Sequence, residues 1–400
     1  MNPENDNRLR SLELFAGAGG LGLGQAMTGF HPTNVIEWDK WACDTIRENQ
    51  ERGFPLVSDW RLFEGDARAF DYASIPEGID LVSGGPPCQP FSIGGKHKAN
   101  SDARDMFPTA ISAVRQIRPK AFIFENVKGI TRAKFANYFQ YIVLQLTFPE
   151  IVRKSDESWL DHLGRLEKEK TGGKRVGLTY NVVWRVLNAA DYGVPQTRER
   201  VFIVGFRNDL DAAWSFPDAT HARDSLLFDQ WVAGDYWERH SISKRKRPMF
   251  PERFKKRIEL LSSMGKPSAS PWVTVRDALR GLPHPRNTRM MGEFHNHRFR
   301  DGAKVYPGHT GSPLDSPAKT LKAGAHGVPG GENMMVLDDG TVRYFTVRES
   351  ARLQTFPDEY VFHGSWTETM RQLGNAVPVL LARVVADGVS KELRRLGGSA

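Results

Sequence analysis

The stretch SLELFAGAGGLG, Ser11 to Gly22, decides the fold. A short β-forming run ends in a turn where Gly17, Gly19 and Gly22 keep the spacing G-x-G-x-x-G, and a helical pattern follows. Strand, glycine turn and helix in that order open an α/β sheet, because glycine lets the backbone approach a nucleotide-like ligand closely at the strand's carboxyl end. Working outward, PTNVIEWD, IDLVSGG, PKAFIFENV and VFIVGF read as further strands, with KWACDTIRENQ as a helix between two of them. Strands alternating with helices of this length predict a doubly wound, mainly parallel sheet covered on both faces.

The chain has 400 residues, 40% of them hydrophobic, enough for one large core and a smaller second one. Its start, MNPENDNRLR, is too polar for a signal peptide, and no apolar run approaches the roughly 18 residues of a membrane span. A cytoplasmic address without membrane association is the expectation. Two cysteines, Cys43 and Cys88, exclude a disulfide framework or a four-thiolate zinc site. The HNH run at His295–His297 lacks partners at zinc spacing, so no metal is expected. A formal charge of +8 favours a polyanionic partner.

Texture divides the chain into 1–208, 209–343 and 344–400. Residues 135–175 read as a polar insertion, and 209–343 as a smaller irregular domain rich in Pro, Gly, Trp and His. Within it KRKRPMFPERFKKR, Lys244 to Arg257, sets eight basic residues against one acidic, interleaved with Phe250 and Phe254. That run is either a solvated face or a stripe meeting phosphates. The helical texture after 343 predicts a return to the first domain.

Glu37 lies about twenty residues beyond the glycine turn, where a carboxylate can accept from ribose hydroxyls. Trp38 beside it could stack on adenine, and Asp66, past a third strand, could accept from an adenine amine. Together these residues read as an adenosine pocket, serving either a dinucleotide or S-adenosylmethionine. Cys43 sits in a helical pattern and reads as core. Cys88, in GGPPCQPFS, sits instead in a loop stiffened by Pro86, Pro87 and Pro90 after a strand, which suits a nucleophile as well as a packed thiol. Glu125 and Asn126 follow the apolar run AFIF, where a buried acid should have a raised pKa and can donate a proton. Arg198 and Arg200, in QTRER, would face the same rim if the strands are adjacent.

In order and in residue type these motifs resemble the bacterial DNA (cytosine-5) methyltransferases that accompany type II restriction enzymes. LELFAGAGGLGLG, VIEWD, GGPPCQPFS, FENV, QTRERVFIVG, RESARLQTFPDEY and QLGNAVP carry the likeness across most of residues 11–390. The resemblance implies a Rossmann-like class I S-adenosylmethionine methyltransferase fold with an irregular target-recognition domain. It also implies that Cys88 attacks C6 of a flipped-out cytosine, Glu125 engages N3 and the exocyclic amine, Arg200 holds the base oxygen, and Arg198 and Asn126 support them. Phe15, Gly17, Gly19, Leu21, Glu37, Trp38, Asp66, Pro86, Met106 and Asn375 would surround S-adenosylmethionine, although DARDMFP is one residue shorter than the family pattern before Met106. Double-stranded DNA would meet Gln89, Ser92, Lys244, Arg245 and the pair Thr320-Leu321. A monomer, with a companion restriction endonuclease sharing the site, completes the expectation. A catalytically silent repressor, a nicotinamide-dependent oxidoreductase and an RNA-directed relative are the rival readings.

Overall fold

The computed structural model describes residues 8–87, 105–172, 177–287, 293–307, 309–323 and 333–398, and they form two units. The first comprises the chain up to Leu187, Glu199–Pro217 and the segment from Ala382. The second comprises Asn188–Arg198 and Asp218–Leu381.

In the first unit the order is β1 (Leu9–Leu14), α1 (Gly20–Ala26), β2 (Phe30–Glu37), α2 (Lys40–Glu51), β3 (Arg61–Glu64), β4 (Leu81–Gly84), α3 (Phe107–Ile117), β5 (Ala121–Val127), α4 (Ala136–Thr147), α5 (Trp159–Gly172), β6 (Tyr180–Asn188) and β7 (Glu199–Arg207). The strands form one sheet in the order β3-β2-β1-β4-β5-β7-β6. Pairs β1–β2, β2–β3, β1–β4 and β4–β5 are parallel and β5–β7 is antiparallel. This is the expected doubly wound, mainly parallel sheet, and its strand order reverses between β1 and β4. Ligands of such sheets sit outside the carboxyl ends at that reversal.

The residues explain the arrangement. Ala121, Phe122, Ile123 and Phe124 in β5 are all 0% exposed, an unbroken apolar run of the kind that a strand covered on both faces requires. The rings of Phe122 and Phe124 stack at 5.4 Å within the main core. Burying one such side chain contributes about 1.5–3 kcal/mol. At the end of β4, a Cβ on Gly84 would come within 2.4 Å of the Leu14 carbonyl, so only glycine lets β1 and β4 stay paired there.

One expectation is corrected. Residues 135–147 are not part of an exposed insertion: Phe135, Tyr138, Phe139, Ile142 and Leu146 are buried in the main core with Phe122 and Phe124. Residues 136–147 are mainly apolar, and only their continuation into the charged stretch after Phe148 makes 135–175 read as polar as a whole. The helical stretch Trp366–Gly397 also passes for a membrane span by length and composition, contrary to the sequence reading, but 67% of its apolar window is buried inside the fold, as in a core helix.

The second unit is built from short pieces: β8 (His221–Ala222), α6 (Arg223–Phe228), α7 (Asp235–Arg239), α8 (Lys255–Met264), β9 (Ser270–Pro271), α9 (Val275–Ala278), β10 (Ser312–Pro313), β11 (Met334–Val336), β12 (Val342–Tyr344), α10 (Val347–Leu353) and α11 (Trp366–Asn375). From its end α12 (Val379–Gly397) leads into the first unit. Ladders this short satisfy few backbone groups, so side chains take over. Arg348, 0% exposed, donates to the carbonyls of His295, Pro357 and Tyr360. One cluster joins Leu226, Tyr236, Trp237 and Trp272, and another joins Val275, Ala318, Leu321, Met335, Phe345 and Leu353.

Candidate active site

The glycine turn leaves β1 through Phe15, which holds φ of 56°, a strained left-handed conformation uncommon for a bulky residue. Glu37 fixes the turn from the end of β2. Its Oε2 accepts from the Gly17 amide at 2.7 Å, while Oε1 accepts from Trp38 at 2.9 Å and Asp39 at 2.7 Å. Burial pushes the Glu37 carboxyl up, and the backbone N–H bonds from Asp39, Gly17 and Trp38 oppose that shift. Glu37 therefore braces the turn, and its remaining lone pairs are what a ribose could use.

A Cβ built on Gly17 would meet nothing within 4 Å, so the turn opens onto free space at the sheet reversal. Trp38, 73% exposed, stands at the rim. Asp66 lies past β3, where its carboxylate takes a two-pronged contact from Arg68, with Nε 3.0 Å from each oxygen. That hydrogen bonding holds the Asp66 carboxyl below its ordinary range. A ligand amine at Asp66 would share the carboxylate with Arg68. Leu21 is buried in α1.

A second cluster lies at the carboxyl ends of β4 and β5. Glu125 and Asn126 are both nearly buried, and β7 runs antiparallel beside them with Val127 opposite Arg200. Arg200 Nε lies 2.9 Å from Glu125 Oε1, so the two side chains assigned to one base touch each other. Burial presses the Arg200 pKa down and Glu125 opposes that shift. Across the gap, a Cβ on Gly85 would sit 3.3 Å from Glu125 Oε2. Asn126 Nδ2 donates to the Pro86 carbonyl at 2.8 Å, and the Met106 amide donates to the Pro87 carbonyl at 3.1 Å. Both stems of the Pro-rich loop are thus tied down next to the Glu125–Arg200 pair. Cys88, Gln89 and Ser92 lie outside the described residues, Cys88 being the next residue in sequence after the anchored Pro87.

The remaining candidates belong to the second unit. Arg198, 1% exposed, donates through Nη1 to the Leu321 carbonyl at 3.1 Å and through Nη2 to the Gly374 carbonyl at 2.8 Å. Thr320 spends its hydroxyl on the Thr197 carbonyl at 2.7 Å, and Leu321 is 1% exposed. The pair expected to meet DNA is laid against residues 196–198. Asn375 is the exposed last residue of α11. Lys244 and Arg245 are exposed.

Sequence reading missed two features. Glu13, 1% exposed inside β1, accepts from the Gly22 amide at 3.0 Å and so ties the strand to α1; burial pushes its carboxyl up to about 8. The signal was an acid set between two leucines of a buried run. Gln196 and Gln354 form the second feature, with Gln196 Nε2 donating to Gln354 Oε1 at 2.9 Å and Gln196 Oε1 accepting from the Leu321 amide at 3.0 Å. Nothing in local sequence announces contacts across such spans.

A family model described as C-5 cytosine-specific DNA methylase matches residues 9–148 and 173–391, leaving α5 outside the match. The type II methyltransferase M.NgoMIV of Neisseria gonorrhoeae is 30% identical over 96% of this chain and 98% of its own length. The type II methyltransferase M.PspPI of Psychrobacter sp. is 31% identical over 96% of this chain and 79% of its own. Among solved structures, the Schizosaccharomyces pombe Dnmt2 methyltransferase aligns with TM-score 0.56 at 18% identity, covering 97% of this chain and 99% of its own.

Proposed function

On the premise that the chain belongs to the C-5 cytosine-specific DNA methylases and is a type II DNA (cytosine-5) methyltransferase, we propose that it works through a covalent Cys88 adduct with a flipped-out cytosine. The observation that carries this reading is the Glu125–Arg200 pair at 2.9 Å, nearly buried beside the anchored stem that leads to Cys88. A buried acid and guanidinium in contact offer a donor and an acceptor edge to one planar base.

In this reading the Cys88 thiolate adds to C6 while Glu125 supplies a proton to N3, which turns the ring into an enamine with a nucleophilic C5. Arg200 holds the base oxygen, and Asn126 keeps the loop in place through the Pro86 carbonyl. S-adenosylmethionine supplies an electrophilic sulfonium methyl group. The opening above Gly17, the braced Glu37 and the exposed Trp38 at the sheet reversal fit such a cofactor, with Phe15, Leu21, Asp66, Pro86 and Met106 around it. After C5 takes the methyl group, loss of the C5 proton and expulsion of Cys88 restore the aromatic ring. The target must leave the stack for this to happen, at roughly a few kcal/mol. The second unit would hold phosphates through Lys244 and Arg245 and read the site. The relatives' designation as type II methyltransferases supports a role in protecting DNA from a companion endonuclease.

The test has two steps. Conversion sequencing of DNA from cells expressing the protein identifies the modified site. Duplex carrying 5-fluorocytosine there should then form a denaturant-resistant adduct in the presence of cofactor, and Cys88→Ala should abolish it. Wild-type protein that binds the duplex but forms no adduct would instead establish a catalytically silent binder.

A further inference from the structure

Met249 is 93% exposed, more than any other large hydrophobic residue among the described ones. An apolar side chain held in water is ordinarily a chance feature, but this one is built into place. Pro248 and Pro251 bracket the pair Met249-Phe250 and fix φ on both sides. Phe250 packs edge-on against Trp231 at 5.3 Å, and Trp231 packs edge-on against Trp237 at 5.4 Å. Just before the bracket, the Arg247 guanidinium lies over the Trp237 ring at 5.7 Å. Arg247 and Phe250, which enclose Pro248-Met249, are therefore held against the aromatic residues of the second unit, while Met249 itself stays in solvent.

The surrounding charge points to the partner. Of the eight basic residues in Lys244–Arg257, Arg247 is stacked on Trp237, Arg253 lies over Phe254 at 4.7 Å, Arg257 Nε pairs with Asp224 at 3.1 Å, and the charge of Lys246 acts on the Asp338 carboxyl. Lys244, Arg245, Lys255 and Lys256 are exposed and have no ion pair or side-chain hydrogen bond among the described residues. Uncommitted cations flanking a rigid apolar tip match a duplex edge, where phosphates line both sides of a groove and the one apolar feature of the major groove is the thymine C5-methyl group.

We propose that Met249 is a specificity-determining residue that packs against a thymine methyl group in the major groove of the recognition site, with Lys244 and Arg245 on the flanking phosphates. The proposal rests on the DNA-methyltransferase reading above. It adds a residue and a base type to that reading.

The experiment compares wild type, Met249→Ala and Lys244→Ala/Arg245→Ala on the duplex found by conversion sequencing and on duplexes with uracil replacing each thymine in turn. For wild type, one uracil substitution should lower kcat/KM about fourfold, the ratio that removing one buried methyl supports. Met249→Ala should lose a similar factor on the normal duplex and be insensitive to that same uracil. Its salt dependence of binding should match wild type, whereas the double variant should flatten the slope of log affinity against log salt by about two. Because Met249 is 93% exposed, its variant should keep the fold, and a thermal midpoint equal to that of wild type checks this. Equal sensitivity of wild type and Met249→Ala to every uracil, or a recognition site without thymine, overturns the assignment of Met249 alone. Wild-type protein that methylates no cytosine in any DNA overturns the underlying reading and this proposal with it.

Discussion

Replacing Glu13 by glutamine should remove the pH dependence that this one buried carboxyl imposes on the first unit. The side chain is 1% exposed, its Oε1 accepts from the Gly22 amide, and its Oε2 has no hydrogen-bond partner among the described residues. Burial raises its pKa from 4.5 to about 8, with the neighbouring Glu37 adding to the rise. Between those two values the native chain keeps a proton that the unfolded chain has released. The unfolded state then binds fewer protons, so stability is greatest below pH 4.5, falls as pH rises, and levels off once the native carboxyl also ionises near 8. The slope is about 1.4 kcal/mol per pH unit, so Glu13 should cost wild type about 2.7 kcal/mol between pH 5.5 and 7.5. Glutamine keeps the acceptor for Gly22 and does not titrate. Urea unfolding followed by tryptophan fluorescence should therefore show Glu13→Gln gaining about 2–3 kcal/mol on wild type over that interval. Contributions common to both proteins cancel in the difference, apart from the mutual repulsion of Glu13 and Glu37, which the substitution removes. A difference that stays constant to within about 0.5 kcal/mol would refute the account, since it would mean that Glu13 does not hold a proton in the folded chain.

Gly84→Ala should lower the urea-unfolding free energy by at least about 2 kcal/mol, because the new Cβ would come within 2.4 Å of the Leu14 carbonyl and neither strand backbone can yield. Arg198→Ala should lower the thermal midpoint by the equivalent of about 1–3 kcal/mol, because two buried carbonyls lose their donor. Arg198→Lys should recover less than half of that loss, since one ammonium group replaces two divergent N–H groups.

Where local sequence dictates structure, the reading succeeded. AFIF announces a doubly covered strand because each residue is apolar, and the glycine spacing announces a strand-turn-helix because few other residues tolerate that turn. The helix α4 was missed although its stretch is mainly apolar, with Tyr138, Phe139, Tyr141, Ile142, Leu144 and Leu146 buried; it runs into the charged residues after Phe148, and taken as one block the two read as polar. The second unit was legible only as irregular. Its elements are two to ten residues long, too short for a periodicity to register, and what fixes them is a set of side-chain bonds between distant positions, such as Gln196 to Gln354 and Arg348 to the Tyr360 carbonyl. The site was legible as a constellation of residue types, while the partner each one would take was not.

Arg198 illustrates the difference. From sequence, Arg198 and Arg200 form a pair two residues apart, the spacing that puts side chains on one face of a strand. In the structure β7 begins only at Glu199, so that alternation does not extend back to Arg198. Arg200 meets Glu125, whereas Arg198 is consumed by the carbonyls of Leu321 and Gly374. The two carbonyls lie in segments far apart in the chain, and one planar guanidinium can bridge them only because its donors diverge in a fixed fork. Arg198 is thus a positioning residue of the second unit. Within that unit it joins the Thr320-Leu321 segment to the end of α11 next to Asn375. An arginine spent on two backbone carbonyls is therefore intolerant of replacement by lysine. Its loss should register first in stability, and in methylation through the segments it holds.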